Sequence, residues 1–189
     1  MGKLYLGTRE ITPIKTVEKT VLSPYKVENG VLSRITSFQG NEFDGIEEIA
    51  TFQDPNGDTL GALAWAFYLW TISGNLVFKD LIEIPEACFY NSFVMTSIQT
   101  ASFPKVESIN ANSFWSAFEM CESLTDIYFN SLKTTSFKST YALRYMLPDC
   151  YNVTIHFPSN LENVVSQLYG YPNFGGDDTV LAFDLPATS

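Results

Sequence analysis

Through the middle of the chain, apolar residues fall at intervals that fit neither the 3.6-residue period of a helix nor the two-residue period of a strand. In SFWSAFEMCESLTDIYF, residues 113–129, they stand at Phe114, Phe118, Cys121, Leu124, Ile127 and Phe129. The spacing recurs along the chain. Phe78, Phe103, Phe129 and Phe157 each close an apolar stretch, at separations of 25, 26 and 28 residues. After the first three comes the same series: Leu81, Ile84 and Phe89; Val106, Ile109 and Phe114; Leu132, Thr135 and Tyr141. Upstream of the last two phenylalanines, Cys121, Leu124 and Ile127 match Cys150, Val153 and Ile155, with one residue fewer in the second set. A unit this short cannot bury its own apolar face, so neighbouring units must stack. The pattern predicts units of about 25–28 residues over 51–160, each supplying short strands and one turn of helix to a shared apolar column.

The motif A-F-x-x-C-x-x-L-x-x-I-x-F at 117–129 resembles the leucine-rich repeat of the BspA type, and Val106-x-x-Ile109 matches that family's second apolar pair. The resemblance covers about residues 60–160. It implies a leucine-rich-repeat solenoid, α/β in class and β-rich with short helical turns. It also implies adhesion at bacterial surfaces through binding to host proteins or to other cells. Cys88 lies out of register with the other two cysteines, and Thr135 stands where the repeat has an aliphatic residue.

Outside the repeat the pattern changes. Residues 3–38 are short β-branched runs punctuated by Gly7, Pro13, Pro24 and Asn29-Gly30. Asn-Gly between YKV and VLSRI predicts a two-residue hairpin. A β-rich segment over residues 1–50 would cap or dock the open end of a solenoid, whose terminal face needs cover. Its opening, K-L-Y-L-G-T-x-x-I, resembles the first strand of structural and tail-associated proteins of phages and prophages of gut bacteria. At the other end, Leu161, Val164, Val165 and Leu168 predict an amphipathic cap helix ending at Gly170, within a C-terminal segment 161–189 that holds a further strand near Val180–Phe183 and a tail.

Composition narrows the class of partner. The chain has 189 residues, 46% hydrophobic and only 17% charged, with 15 Phe, 10 Tyr and 3 Trp, as expected of a folded, strand-rich protein. Twenty-one acidic residues against 11 basic ones give a formal charge of −10, which repels phosphate backbones and argues against nucleic acid as a partner. Three widely spaced cysteines with no CxxC pair predict buried free thiols rather than a zinc site or a disulfide framework. The N-terminus lacks the apolar core of a secretion signal, and GALAWAFYLW at 61–70 is about half the length of a membrane span.

Candidate chemistry is sparse. His156 is the single histidine, so any Ser-His-Asp or Cys-His mechanism must pass through it, and strand alternation sets it on the face opposite Val153, Ile155 and Phe157. No GxSxG, HExxH or phosphate-binding glycine loop occurs. FQDPNGDT at 52–59 alternates Asp54, Asn56 and Asp58 as calcium loops do, but Thr59 and Trp65 stand where such a loop needs glycine and a carboxylate, so turn chemistry is expected there. Glu47, Glu48, Asp54 and Asp58 give no reason to expect two carboxylates facing one another across a substrate. The candidate binding residues are the aromatics Trp65, Tyr68, Trp70, Trp115, Tyr128 and Tyr141, which could stack on sugars or anchor a protein.

The expected function is a binding or structural module without enzymatic activity, cofactor or metal, whose partner is a protein or a surface glycan. The missing secretion signal, together with the N-terminal resemblance, shifts the expectation to a virion-associated protein, a tail or capsid decoration that meets other virion proteins and that leaves oligomerisation open. It would then reside in the virion, or in the cytoplasm before phage release. A secreted BspA-type adhesin, whose export signal had been removed, is the first alternative and a carbohydrate-active enzyme the second.

Overall fold

The computed structural model describes strand backbone at 4–6, 9–11, 19–22, 25–28, 31–34 and 37–39, and the continuous chain over 43–189. Its central feature is a β-rich solenoid of about four turns with very little helix. Six strands form one all-parallel sheet, in spatial order β6 (Ser37–Gln39), β9 (Ser73–Val77), β11 (Ser97–Ser102), β13 (Asp126–Tyr128), β14 (Thr154–Pro158) and β15 (Val180–Leu185). Before it come the antiparallel pair β1 (Leu4–Leu6) and β2 (Arg9–Ile11), and the antiparallel sheet β3 (Lys19–Leu22), β4 (Tyr25–Glu28) and β5 (Val31–Arg34). Glu28 faces Val31 across β4 and β5, the register a two-residue hairpin requires. Asn29 and Gly30 themselves, with Gly7, Pro13 and Pro24, lie outside the described residues.

Each coil has three sides. On the first, inward residues of the parallel sheet alternate with outward ones: Leu76, Ile98, Ala101, Ile127 and Ile155 are buried, while Asn75, Thr100, Asp126 and Thr154 form an outward column in register. Leu81, Val106 and Leu132 then turn the chain into a second, narrow ladder of β10 (Glu83–Ile84) and β12 (Ser108–Ile109), which Phe137 extends by a bridge to Ile109. A separate hairpin, β7 (Thr51–Gln53) and β8 (Thr59–Gly61), is closed by Asp54, whose Oδ1 accepts the backbone N–H of Asn56 and of Asp58. That is the turn chemistry expected of FQDPNGDT.

The third side explains the uneven spacing of residues 113–129. Short helical turns were expected there, but the structure has successive overlapping β-turns instead. Ala87, Phe89, Asn91, Phe93 and Met95 donate their N–H groups to Ala111, Ser113, Trp115, Ala117 and Glu119 of the next coil, at 2.8–3.1 Å. Cys88, Tyr90 and Ser92 between them, and Thr96 just after, donate back three positions to Pro85, Ala87, Phe89 and Phe93. Alternate donors therefore serve the neighbouring coil and the coil itself, which meets the demand of buried backbone polar groups without helix or strand. The geometry puts a left-handed residue at intervals of about four: Trp65 and Leu69, then Ala87, Asn91 and Met95, then Asn112, Ser116 and Met120, then Tyr145 and Asp149. Each costs an L-residue about 1 kcal/mol, which the inter-coil ladder offsets. The single α-helix among the described residues is α1 (Glu162–Val165); the amphipathic pattern predicted for 161–170 continues as turns up to Gly170.

The interior is a column of stacked phenylalanines. The repeat residues Phe78, Phe103, Phe129 and Phe157 lie 5.2–5.7 Å apart between ring centroids, with planes within 15° of parallel. Phe43 extends the column at one end and Phe183 at the other. A second buried stack joins Phe67, Phe93 and Phe118 at 5.3 and 5.4 Å. The three cysteines are buried free thiols, as expected. Cys121 and Cys150 direct their S–H groups at the carbonyls of Phe93 and Phe118 in the preceding coil. Thr96 takes the equivalent place one coil earlier, with its hydroxyl also on the Phe93 carbonyl, which accounts for Cys88 being out of register. Gly61 is required by close packing: a Cβ there would lie 2.3 Å from the Cα of Cys88.

Candidate functional site

The left-handed positions of the turn side point large residues outward, and this sets up an exposed aromatic row. Trp65 and Tyr145 occupy such positions, while Tyr90 and Trp115 sit one residue before theirs. The rings run across the coils as Trp65, Tyr90, Trp115, Tyr145 and Tyr169, with successive centroids 5.9, 6.0, 5.4 and 5.8 Å apart. Tyr68 joins at the Trp65 end, at 5.2 Å, and Tyr141 at the Tyr169 end, at 5.5 Å. Trp65 is 50% exposed and Tyr141, Tyr145 and Tyr169 about 40%, while Tyr90 and Trp115 in the middle of the row are partly buried.

One cation sits within the row. The Arg144 guanidinium lies 4.1 Å from the centroid of Trp115 and 5.0–5.3 Å from those of Tyr141, Tyr145 and Tyr169. Among the described residues it forms no ion pair. The Tyr145 and Tyr169 hydroxyls are 3.3 Å apart, and this hydrogen bond raises the Tyr169 phenol above its ordinary pKa. The Tyr169 phenol thus stays protonated and able to donate at neutral pH.

Beside the row, Leu69, Met95 and Met120 form a second exposed column on aligned left-handed positions. Met95, Met120, Glu122, Asp149 and Tyr151 line a cleft there.

A different cluster lies on the outward face of the parallel sheet. His156 Nε2 is 3.0 Å from Asp126 Oδ1 on β13, and Nδ1 is 3.0 Å from both oxygens of Asp184 on β15. Tyr128 stacks on the imidazole at 4.4 Å with planes 9° apart. Partial burial lowers the His156 pKa, but hydrogen bonds to Asp126 and Asp184 outweigh it and leave the pKa raised. Burial likewise works against ionisation of Asp126, yet its bonds to His156 and Thr125 hold its pKa below the usual value. With a carboxylate on each ring nitrogen, the favoured species is the imidazolium donating twice. It ties three adjacent strands together and keeps no lone pair free for general-base work.

The sequence-derived binding residues therefore separate. Trp65, Tyr68, Trp115 and Tyr141 come together in the exposed row. Tyr128 belongs to the histidine cluster on the sheet face. Trp70 is half-buried against the core, with the Arg34 guanidinium 4.1 Å over its ring. Sequence reasoning missed Tyr90, Arg144, Tyr145 and Tyr169. Tyr90 carried a usable signal, since it lies 25 residues from both Trp65 and Trp115.

The fold and the row define a class, a β-rich solenoid that presents an aromatic surface across its coils. Comparison with protein families, with curated proteins and with solved structures returned no match. No helix among the described residues is long and apolar enough to cross a membrane.

Proposed function

We propose that this protein is a non-enzymatic attachment module that engages a surface through the aromatic row on its turn side. The carrying observation is that seven aromatic rings from successive coils are held in one continuous, largely exposed line. Aromatic side chains give large contact area at low conformational cost, and a rigid solenoid fixes their spacing before a partner arrives. The reading is supported further by His156, whose ring nitrogens are both engaged by carboxylates. The coils are those of a leucine-rich repeat of the BspA type, and the β-rich segment over residues 1–50 serves as its cap or docking segment; these assignments rest on the motif at 117–129 and on the β-rich pattern of the N-terminus. The N-terminal resemblance favours a virion-associated setting, and the repeat resemblance alone would favour a cell-surface adhesin.

The test is retention of the purified chain on the source organism's envelope fraction and, separately, on a virion-rich lysate, alongside a Trp115→Ser/Tyr145→Ser variant. Retention on either that falls at least about ten-fold in a variant that still folds supports attachment through the row. Equal retention of both proteins would remove the row from the interface. The fraction that retains the wild-type chain separates the virion setting from the adhesin setting.

A further inference from the structure

We infer that Arg144 and the rings around it form a recognition site for the carboxylate of an acidic sugar carried on an otherwise uncharged glycan. This rests on the reading of the aromatic row as an attachment surface and names the chemistry of what it attaches to. Three observations carry it. Arg144 is a cation in a molecule of formal charge −10, and among the described residues no carboxylate pairs with it. Its Nε atom is buried without a hydrogen-bond partner and lies out of a ligand's reach, which leaves the terminal guanidinium nitrogens as the donors a carboxylate would meet. Its guanidinium carbon lies 4.1 Å from the Trp115 centroid and 5.0–5.3 Å from those of the three tyrosines, contacts that restrict the fork before any ligand binds.

An ordered guanidinium takes a carboxylate in two parallel hydrogen bonds, which a lysine ammonium cannot reproduce. The surrounding groups select what bears that carboxylate. Half-exposed tyrosine rings offer apolar faces and edges to sugar C–H groups, and the hydroxyls of Tyr145 and Tyr169 offer hydrogen bonds to sugar hydroxyls. A polyanion such as nucleic acid or a highly sulfated chain would meet the repulsion of the whole molecule, whereas an isolated carboxylate meets mainly Arg144. Isolated carboxylates on a neutral, hydroxyl-rich ligand are the chemistry of sialylated or uronate-bearing glycans.

The experiment titrates the full chain with 3′-sialyllactose, with its carboxyl methyl ester and with lactose, followed by tryptophan fluorescence and saturation-transfer NMR. A charge-assisted contact of this kind corresponds to roughly ten-fold or more in affinity. The acid should therefore bind at least about ten-fold more tightly than the ester or lactose. Arg144→Gln should abolish that difference, and Arg144→Lys should recover only part of it. Cellobiouronic acid, with one carboxylate, and cellobiose serve as a second acid–neutral pair, so the outcome does not hang on one sugar. Equal binding of acid and ester, or no binding of either acid, would overturn the inference, as would unchanged discrimination in Arg144→Gln. The ester comparison uses the wild-type chain and so stands even where a variant fails to fold. Loss of envelope or virion retention in Trp115→Ser/Tyr145→Ser with no acid preference in the wild type would leave the attachment reading standing and remove the carboxylate.

Discussion

Two aromatic columns run along this solenoid, and they differ in one respect that matters. The inner one stacks Phe78, Phe103, Phe129 and Phe157 at 5.2–5.7 Å, all fully buried. The outer one carries Trp65, Tyr90, Trp115, Tyr145 and Tyr169 at similar spacings, each partly or largely exposed. Both follow from the same stacking of coils. The inner rings gain about 1.5–3 kcal/mol each by leaving water, and folding explains their presence. The outer rings leave much of their surface wet, so folding explains their spacing but not their identity. Stability is concentrated in one column and, on the present reading, recognition in the other.

The largest effect should come from placing a charge in the inner column's surroundings. Leu124 is 2% exposed, and Leu124→Asp would leave a buried carboxylate without a partner. The expected result is loss of cooperative unfolding by circular dichroism; a folded variant of equal stability would break the register of the repeat. Next in size, Phe103→Ala removes a ring between Phe78 and Phe129 and should cost about 3–5 kcal/mol in denaturant unfolding, with retention on the proposed surface unchanged wherever the protein is folded.

A smaller effect concerns the sheet face. The folded His156 pKa lies above its unfolded value of 6.5, so its stabilisation is complete below that pH and is lost as pH rises through the raised folded pKa. The depressed Asp126 pKa works at the other end: its stabilisation is present above an unfolded value of 3.8 and is lost as pH falls through the lower folded one. Asp184 is half exposed, and screening should hold the alkaline loss to about 1 kcal/mol or less. Unfolding free energies measured from pH 6 to pH 9 should thus fall more in the wild type than in His156→Gln; parallel curves would show that the imidazolium does not tie the strands. The smallest stability effect is expected in the outer row, where Tyr145→Ser should cost about 1 kcal/mol or less.

What could be read from sequence follows the same division. The inner column was legible because every coil must place a large apolar residue at the same corner, and Phe78, Phe103, Phe129 and Phe157 recur at nearly constant spacing. The turn side was misread as helical because overlapping β-turns have no period of their own, and their left-handed positions hold Trp65, Leu69, Met95 and Met120 rather than glycine. The outer row was legible in part. Trp65 and Trp115 drew attention as tryptophans, but Tyr145 follows Trp115 by 30 residues and Tyr169 follows Tyr145 by 24, so a strict repeat does not align them. The alternation that put His156 on the outward face was correct. Its partners Asp126 and Asp184 lie 30 and 28 residues away and became visible only with strand register.

The most direct test of the division between the columns is a paired measurement on Phe103→Leu and Tyr145→Ser, with denaturant unfolding and surface retention read on the same preparations. The expected result is that Phe103→Leu loses about 1–2 kcal/mol of stability and keeps full retention, while Tyr145→Ser keeps nearly full stability and loses retention. Equal destabilisation by the two substitutions, with retention unchanged in both, would contradict the assignment of recognition to the outer row.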